Sequence, residues 1–396
     1  MKERTELILR FSMNKSVHPE NLINDMNFFP VEKSSVSQIT ADQFIRKVEN
    51  RVSQLEIIIQ LNRESYGSKH LYGVVLKLSS GKEDDLFEFA KRLSSVYPLI
   101  CEDAVAEEFK NDQESFTVII DRALLNQVNE IIRQQNMFLL NSKDPETLHQ
   151  LRIRLRQMRS YLWCLRALMN KSEVDQWRMQ LKEITNLTTQ VRELDVLFNQ
   201  CTDLSGSESD DEYHLTKLIS ELAKKRELAA EKVKTQLLAG SLTPILLTIQ
   251  LGLLLNHWES DKSAMMKKKV IMTLRKHYER LHDSLKNIDP NKMPDVHHLR
   301  IEAKKIHYSL LLIEPLMTKK IRPVIKDLKL LQDQLGHYCD LSKNRSLLKE
   351  IQSTSTDHSI ADECDKIEGY LTSKLQHFKK KPNKIKLHRS IKTQWL

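Results

Sequence analysis

Two hydrophobic periods divide the chain. In the first 120 residues, short apolar runs with partial alternation predict strands at "TELILRF" (Thr5–Phe11), "LEIIIQL" (Leu55–Leu61), "LYGVVLKL" (Leu71–Leu78) and "SFTVII" (Ser115–Ile120). "DDLFEFAKRLSSVY" (Asp84–Tyr97) spaces its apolar residues as a helix, and Pro98 stops it. A second, weaker helix falls near Ala41–Asn50. The resulting order, β-α-β-β-α-β, fits a ferredoxin-like sandwich, although "MNKSVHPENLINDMNFFPVEKSS" matches no part of it. From about Asp121 the strand signals stop. Long amphipathic helices follow, broken at 141–146, 203–212, 239–244, 287–295 and 353–358. The break "SGSESDDE" is acidic and Ser-rich, as solvated loops are. The run "PILLTIQLGLLL" (Pro244–Leu255) is too short to span a bilayer and reads as a buried helix.

This pattern predicts a mainly α protein: a two-repeat antiparallel helical bundle preceded by a small α+β N-terminal domain. The domains are 1–120 and 121–390, with repeat one at about 122–240 and repeat two at about 241–380.

The repeat is visible in the residues. His149-Gln-Leu-Arg-Ile matches His297-His-Leu-Arg-Ile at an offset of 148. The same offset pairs Arg156 with Lys304, Arg159 with His307 and Leu162 with Leu310. "QVRELDVL" (190–197) follows a helix as "LGHYCDLS" (335–342) does, which sets Asp195 against Asp340. Two copies of one helical unit, related by a pseudo-twofold axis, would bring two basic helices to one shared surface.

At about 100° per residue, His149, Arg152, Arg156 and Arg159 fall within roughly an 80° arc. Leu151, Leu155, Met158 and Leu162 occupy the adjoining arc. His297, Arg300, Lys304 and His307 repeat the pattern beside Leu299, Ala303, Ile306 and Leu310. Each helix therefore offers an apolar stripe to bury and a basic ridge at its edge. Basic runs on helices are most often solvated faces. Here the charge is confined to one arc, has few acidic partners at i±4, and recurs in a second copy. Arg154 and Glu302 fall off the arc and are assigned to the solvated face. Asp144 and Pro145 mark a helix start just before His149, where the dipole also favours anions.

Charge supports a polyanionic partner. The net charge of +9 is unevenly spread. Residues 1–120 hold 15 Lys and Arg against 19 Asp and Glu, while the rest hold 47 against 34. The five cysteines form no C-x-x-C and read as reduced thiols of a cytosolic protein. "MKERTELILRF" has no apolar signal-peptide core. The expectation is a cytoplasmic protein without a membrane span.

With these motifs the chain resembles the CHAD family, the conserved histidine α-helical domain. Its repeated helix signature reads here as His149-x-x-Arg152-Ile153-x-x-Arg156 and His297-x-x-Arg300-Ile301-x-x-Lys304. The family's Lys-Arg-Leu-Arg-Tyr continuation reads Lys304-Lys305-Ile306-His307-Tyr308. The first repeat's second motif reads Arg192-Glu193-Leu194-Asp195-Val196. The second repeat's reads Leu331-Gln332-Asp333-Gln334-Leu335-Gly336, followed by Asp340. The likeness covers about residues 122–380. Gln157, Glu193, His307 and Leu311 depart from the pattern, which implies a lower affinity or a shifted pH range.

The resemblance implies non-catalytic binding of inorganic polyphosphate in a basic groove, at polyphosphate granules. His149, Arg152, Arg156, Arg159, His297, Arg300, Lys304, Lys305 and His307 are the binding residues it implies. Asp195 and Asp340 would stand behind them, pairing with basic residues or capping helices. The chemistry is suitable. Arg forks grip phosphate oxygens in pairs, Lys binds as a point charge, and His donates one N–H when neutral and two when charged. On this reading, charge reversal at Arg152 and Arg300 together abolishes binding and leaves helicity intact.

Rival chemistries fit less well. His297 and His298 with Asp295 could hold a metal, but neighbouring basic groups repel a cation. CHAD domains often follow a CYTH domain, a tunnel fold that processes triphosphates through a Glu-x-Glu-x-Lys strand. The corresponding Glu6-x-Ile8-x-Arg10 lacks the second Glu. "SSGKED" (79–84) is no P-loop, so neither cofactor nor metal is expected. Non-specific nucleic-acid binding is the remaining alternative. The chain has only 6% aromatic residues, and Tyr161, Trp163 and Trp177 sit in apolar surroundings, so stacking platforms are scarce. The basic tail Lys379–Arg389 could add affinity for any polyanion.

Overall fold

The computed structural model describes residues 7–14, 33–40, 43–49, 53–66, 69–102, 115–206, 214–254, 263–289, 291–318 and 321–380. The basic tail and most of the unassigned N-terminal stretch lie outside them, as does Glu6. The described chain forms two compact units, neither contiguous in sequence. Unit 1 is Met1–Arg159, Met169–Leu187 and Glu231–Glu259. Unit 2 is Ser160–Leu168, Thr188–Ala230 and Ser260–Leu396.

Unit 1 begins with strands β1 (Leu7–Asn14), β2 (Lys33–Thr40), β3 (Gln43–Glu49), β4 (Gln54–Tyr66) and β5 (Lys69–Ser80). Helix α1 (Glu83–Val96) and β6 (Leu99–Cys101) follow. The sheet order is β2-β3-β4-β5-β1-β6, and every neighbouring pair is antiparallel. Alternation sets one face. Leu9, Phe11 and Met13 are buried, as are Leu55, Ile57 and Ile59 and also Val74, Leu76 and Leu78. Helix α1 covers sheet residues with Leu86, Phe87, Ala90 and Leu93. Ile8 and Arg10 lie on the other face, opposite Lys77 and Val75. The turn before α1 requires glycine. Gly81 has φ +113°, and a Cβ there would sit 2.4 Å from the Ser53 Cα.

The sheet runs from β2 to β5 as a meander, with β1 and then β6 added beyond β5, and is not the ferredoxin-like order expected. Two elements explain the difference. The expected helix near Ala41–Asn50 is strand β3, because Val48 pairs with Leu55 and Ile45 with Ile58. The expected strand "SFTVII" opens a long helix, α2 (Phe116–Leu140), where the Ser115 hydroxyl accepts the Val118 N–H at 3.3 Å. β-branched residues allow either state. The cap and the burial of Ile120, Leu124 and Val128 decide for helix.

Helices α3 (Pro145–Leu165), α4 (Lys171–Leu187), α5 (Thr189–Ser205), α6 (Thr216–Leu238) and α7 (Thr243–Leu254) follow. Helix α7 carries the apolar run, and α1, α2 and α4 of unit 1 pack on it. Its start is pinned to β6. The Thr243 hydroxyl donates to the Leu99 carbonyl at 2.6 Å and accepts from the Cys101 N–H at 3.3 Å. Trp177 fills the space beside Gly252, where a Cβ would lie 2.3 Å from the indole. The strand region thus shares its compact unit with α2, most of α3, α4 and α7.

Helices α8 (Ser263–Lys286), α9 (Met293–Ile313), α10 (Arg322–Thr354) and α11 (His358–Lys380) form most of unit 2. Within it α9 packs on α8 and α10, and α10 packs on α5 and α11. All five cysteines are buried free thiols. Burial pushes Cys101, Cys164 and Cys201 up to about 12, which removes thiolate reactivity. Among the described residues no single helix is long and apolar enough to cross a membrane.

Candidate functional site

Helices α3 and α9 have the same length, 21 residues each. Asp144 Oδ1 accepts the Glu146 N–H at 2.9 Å, and Pro145 opens α3. Pro294 occupies the first turn of α9. Both apolar stripes are buried as predicted: Leu151, Leu155, Met158 and Leu162 on α3, and Leu299, Ala303, Ile306 and Leu310 on α9.

The basic positions divide into three kinds. His149 and Arg156 are half-buried on α3, Lys304 is half-buried on α9, and His297 is exposed. Arg152 is different: only 4% of it is exposed, and its guanidinium donates to the Thr185 carbonyl at 2.8 Å. Thr185 lies in the last turn of α4, where helix carbonyls lack intrahelical donors and a cation is favoured. Arg152 is a strut between two helices of unit 1. His307 is 7% exposed, and its Nδ1 is buried with no hydrogen-bond partner among the described residues. Burial chiefly, with Lys329 nearby and against Asp333, pushes its pKa down to about 4. It is neutral at physiological pH and adds no charge to the α9 ridge.

Arg159 is the third kind. Its Nε is buried without a hydrogen-bond partner among the described residues, and so is that of Arg178 on α4. Burial lowers the Arg159 pKa, and Arg178 and Arg156 lower it further as like charges. An arginine still stays protonated at neutral pH. Three guanidinium groups of unit 1 are thus gathered on neighbouring helices.

On α9 the charge is partly neutralised from elements that an i±4 rule does not see. Arg300 lies across Gly336 and pairs with Asp340 on α10 at 3.3 Å. Lys305 bonds to the Glu302 carboxylate and stands 4.7 Å over the Trp163 ring. Trp163 meets His277 edge-on at 4.7 Å, and His277 lies 3.8 Å from Glu302. The solvated face assigned to Arg154 and Glu302 is therefore corrected. Glu302 takes part in that cluster, and Arg154 reaches Glu130 on α2 at 3.4 Å and Gln157 at 3.2 Å. Asp195 pairs with Arg226 of α6, a residue outside both motifs, at 2.7 Å and almost wholly buried.

The sequence reading missed Thr185, Arg178, Arg226 and the cluster around Trp163. Arg178 and Arg226 lie among charged residues in sequence, Asp175 before the first and Lys225 and Glu227 beside the second, as solvated arginines do. Only the packing of one helix on another distinguishes them. Among the described residues no three His, Cys, Asp or Glu side chains converge to hold a metal ion. Tyr161 and Trp177 are buried.

A family model described as CHAD domain matches residues 122–349, more than half of the chain. Among solved structures, the chain is similar to the crystal structure of the CHAD domain from the plant Ricinus communis. The TM-score is 0.51 and the identity 22%, over 68% of this chain and 90% of that one, a likeness of fold. No curated protein matches.

Proposed function

The chain belongs to the CHAD family, and on that footing we propose that it binds inorganic polyphosphate without catalysis and is thereby targeted to polyphosphate granules. The observation that carries the reading is Arg159. Arg159 is half-buried on α3, its Nε is buried with no hydrogen-bond partner among the described residues, and the like charges of Arg178 and Arg156 act on it. Such a site is stabilised by an anion that brings its own oxygens. Arg156 and His149 extend the cationic ridge of α3, and Lys304 and His297 carry that of α9. A linear chain with charge on every phosphate can serve such ridges one phosphate at a time. Burial of Tyr161 and Trp177 favours polyphosphate over single-stranded nucleic acid, which needs exposed aromatic faces.

The test is a titration of the full chain with long-chain polyphosphate and with single-stranded RNA, each at low and physiological salt. Polyphosphate binding that survives salt while RNA binding is lost supports the reading. Equal, salt-sensitive binding of both would move non-specific nucleic-acid binding to the front. Incubation with tripolyphosphate and a divalent cation should release no phosphate. Labelled chain should co-localise with granules in cells that make them.

A further inference from the structure

Arg178 is absent from the repeated motif and from every position that the family signature marks. Its surroundings nevertheless set it apart from a solvated arginine. It stands on α4, half-buried, with its Nε buried and without a hydrogen-bond partner among the described residues. Its one ion pair among the described residues is Asp175, three residues earlier on its own helix, at 3.2 Å. Asp175 is itself 43% exposed, so that pair is weak and leaves most of the fork available. Arg159 stands seven residues after Arg152 on α3 and Arg178 seven before Thr185 on α4, so the Arg152–Thr185 hydrogen bond sets Arg159 and Arg178 level across the two helices, with Arg156 one turn from Arg159. The like charges of Arg178 and Arg156 act on Arg159 accordingly. The chain holds α4 against α3 by burying Arg152 under Thr185 and by packing Trp177 on α7. The helix backbones that carry the three guanidinium groups are therefore fixed in the core of unit 1.

We infer that Arg156, Arg159 and Arg178 form one oxyanion subsite for a short phosphate chain, with pyrophosphate as the smallest occupant, and that Arg178 is a binding residue. All three belong to unit 1, so the subsite draws on no residue of the second repeat. Convergent forks suit the several oxygens of linked phosphoryl groups better than a single carboxylate. The inference rests on the polyphosphate reading for its ligand class, and stands apart from it in what it predicts for short anions.

The experiment is calorimetric titration of the full chain with pyrophosphate and, separately, with long-chain polyphosphate. The proteins are wild type, Arg178→Gln, Arg178→Lys and the control Lys232→Gln, an exposed unit 1 position with the same charge change. Arg178→Gln should weaken pyrophosphate binding about tenfold or more, Arg178→Lys less, and Lys232→Gln hardly at all. The loss for long-chain polyphosphate should be smaller. Unchanged pyrophosphate affinity in Arg178→Gln, with its melting curve intact, would overturn the inference. So would a wild-type chain that binds long polyphosphate but no pyrophosphate, and in that case the proposed function stands. Pyrophosphate binding that depends on Arg178, with no binding of long chains, would instead sink the proposed function and leave the subsite.

Discussion

The Arg152 guanidinium donates a 2.8 Å hydrogen bond to the carbonyl of Thr185, 33 residues away and in the last turn of the neighbouring helix. The first arginine of the repeated motif thus fastens two helices and is closed to solvent. Arg152→Gln should cost about 1.5–3 kcal/mol, as lost hydrogen bonds of charged groups do. Its urea midpoint should fall, whereas Arg156→Gln should keep the wild-type midpoint and weaken polyphosphate binding. If the two variants melt alike, the strut assignment is wrong. The double charge reversal at Arg152 and Arg300 therefore tests folding as much as binding, and Arg156 with Lys304 is the cleaner pair.

His307 gives the fold a pH dependence. Its folded pKa of about 4 lies below the ordinary 6.5 because burial disfavours the imidazolium. Between those two values the unfolded chain binds the extra proton, so this contribution is fully present above pH 6.5. It is lost as pH falls through about 4. The whole span is worth about 3 kcal/mol. Urea melts of wild type and His307→Gln at pH 7 and pH 4.5 should show a shallower decline in the variant. Identical declines would place the acid sensitivity elsewhere.

Asp195 and Arg226 form a nearly buried ion pair at 2.7 Å. Asp195→Ala leaves a buried guanidinium without its carboxylate and should destabilise unit 2 by about 3–5 kcal/mol. Replacing both by apolar residues, Asp195→Leu with Arg226→Met, should recover most of that loss. A double variant as unstable as the single would show that the cost is packing and not unpaired charge.

Salt dependence separates ridge cations from structural ones. Lys304→Gln and Arg156→Gln should each lower the slope of log affinity against log salt for polyphosphate by about one, since each removes one phosphate contact. Lys305→Gln should lower it less, because Lys305 is already held by Glu302 and the Trp163 face. Equal slopes for Lys304→Gln and Lys305→Gln would remove that distinction.

The sequence by itself determined the parts of this protein that depend on local period. The 3.6-residue spacing of Leu151, Leu155, Met158 and Leu162 marked a buried stripe on α3, and its copy at Leu299, Ala303, Ile306 and Leu310 marked α9. Asp144 and Pro145 marked where α3 begins. These features need no distant partner, because a helix closes its hydrogen bonds within a turn. Tertiary structure alone decided the rest. β3 became a strand and "SFTVII" a helix because β-branched residues suit both states, and pairing with β4 settled the first and burial of Ile120, Leu124 and Val128 the second. The motif also gave equal standing to Arg152, His307, Arg156 and Arg159, the second on the arc of α9 and the others on that of α3. Packing then buried the first against Thr185, neutralised the second, and set the last two beside Arg178. An arc on a helical wheel fixes direction only. Whether a charge on it meets a carbonyl, a carboxylate, another arginine or water depends on which helix lies opposite. That neighbour comes from tens of residues away, where periodicity carries no information.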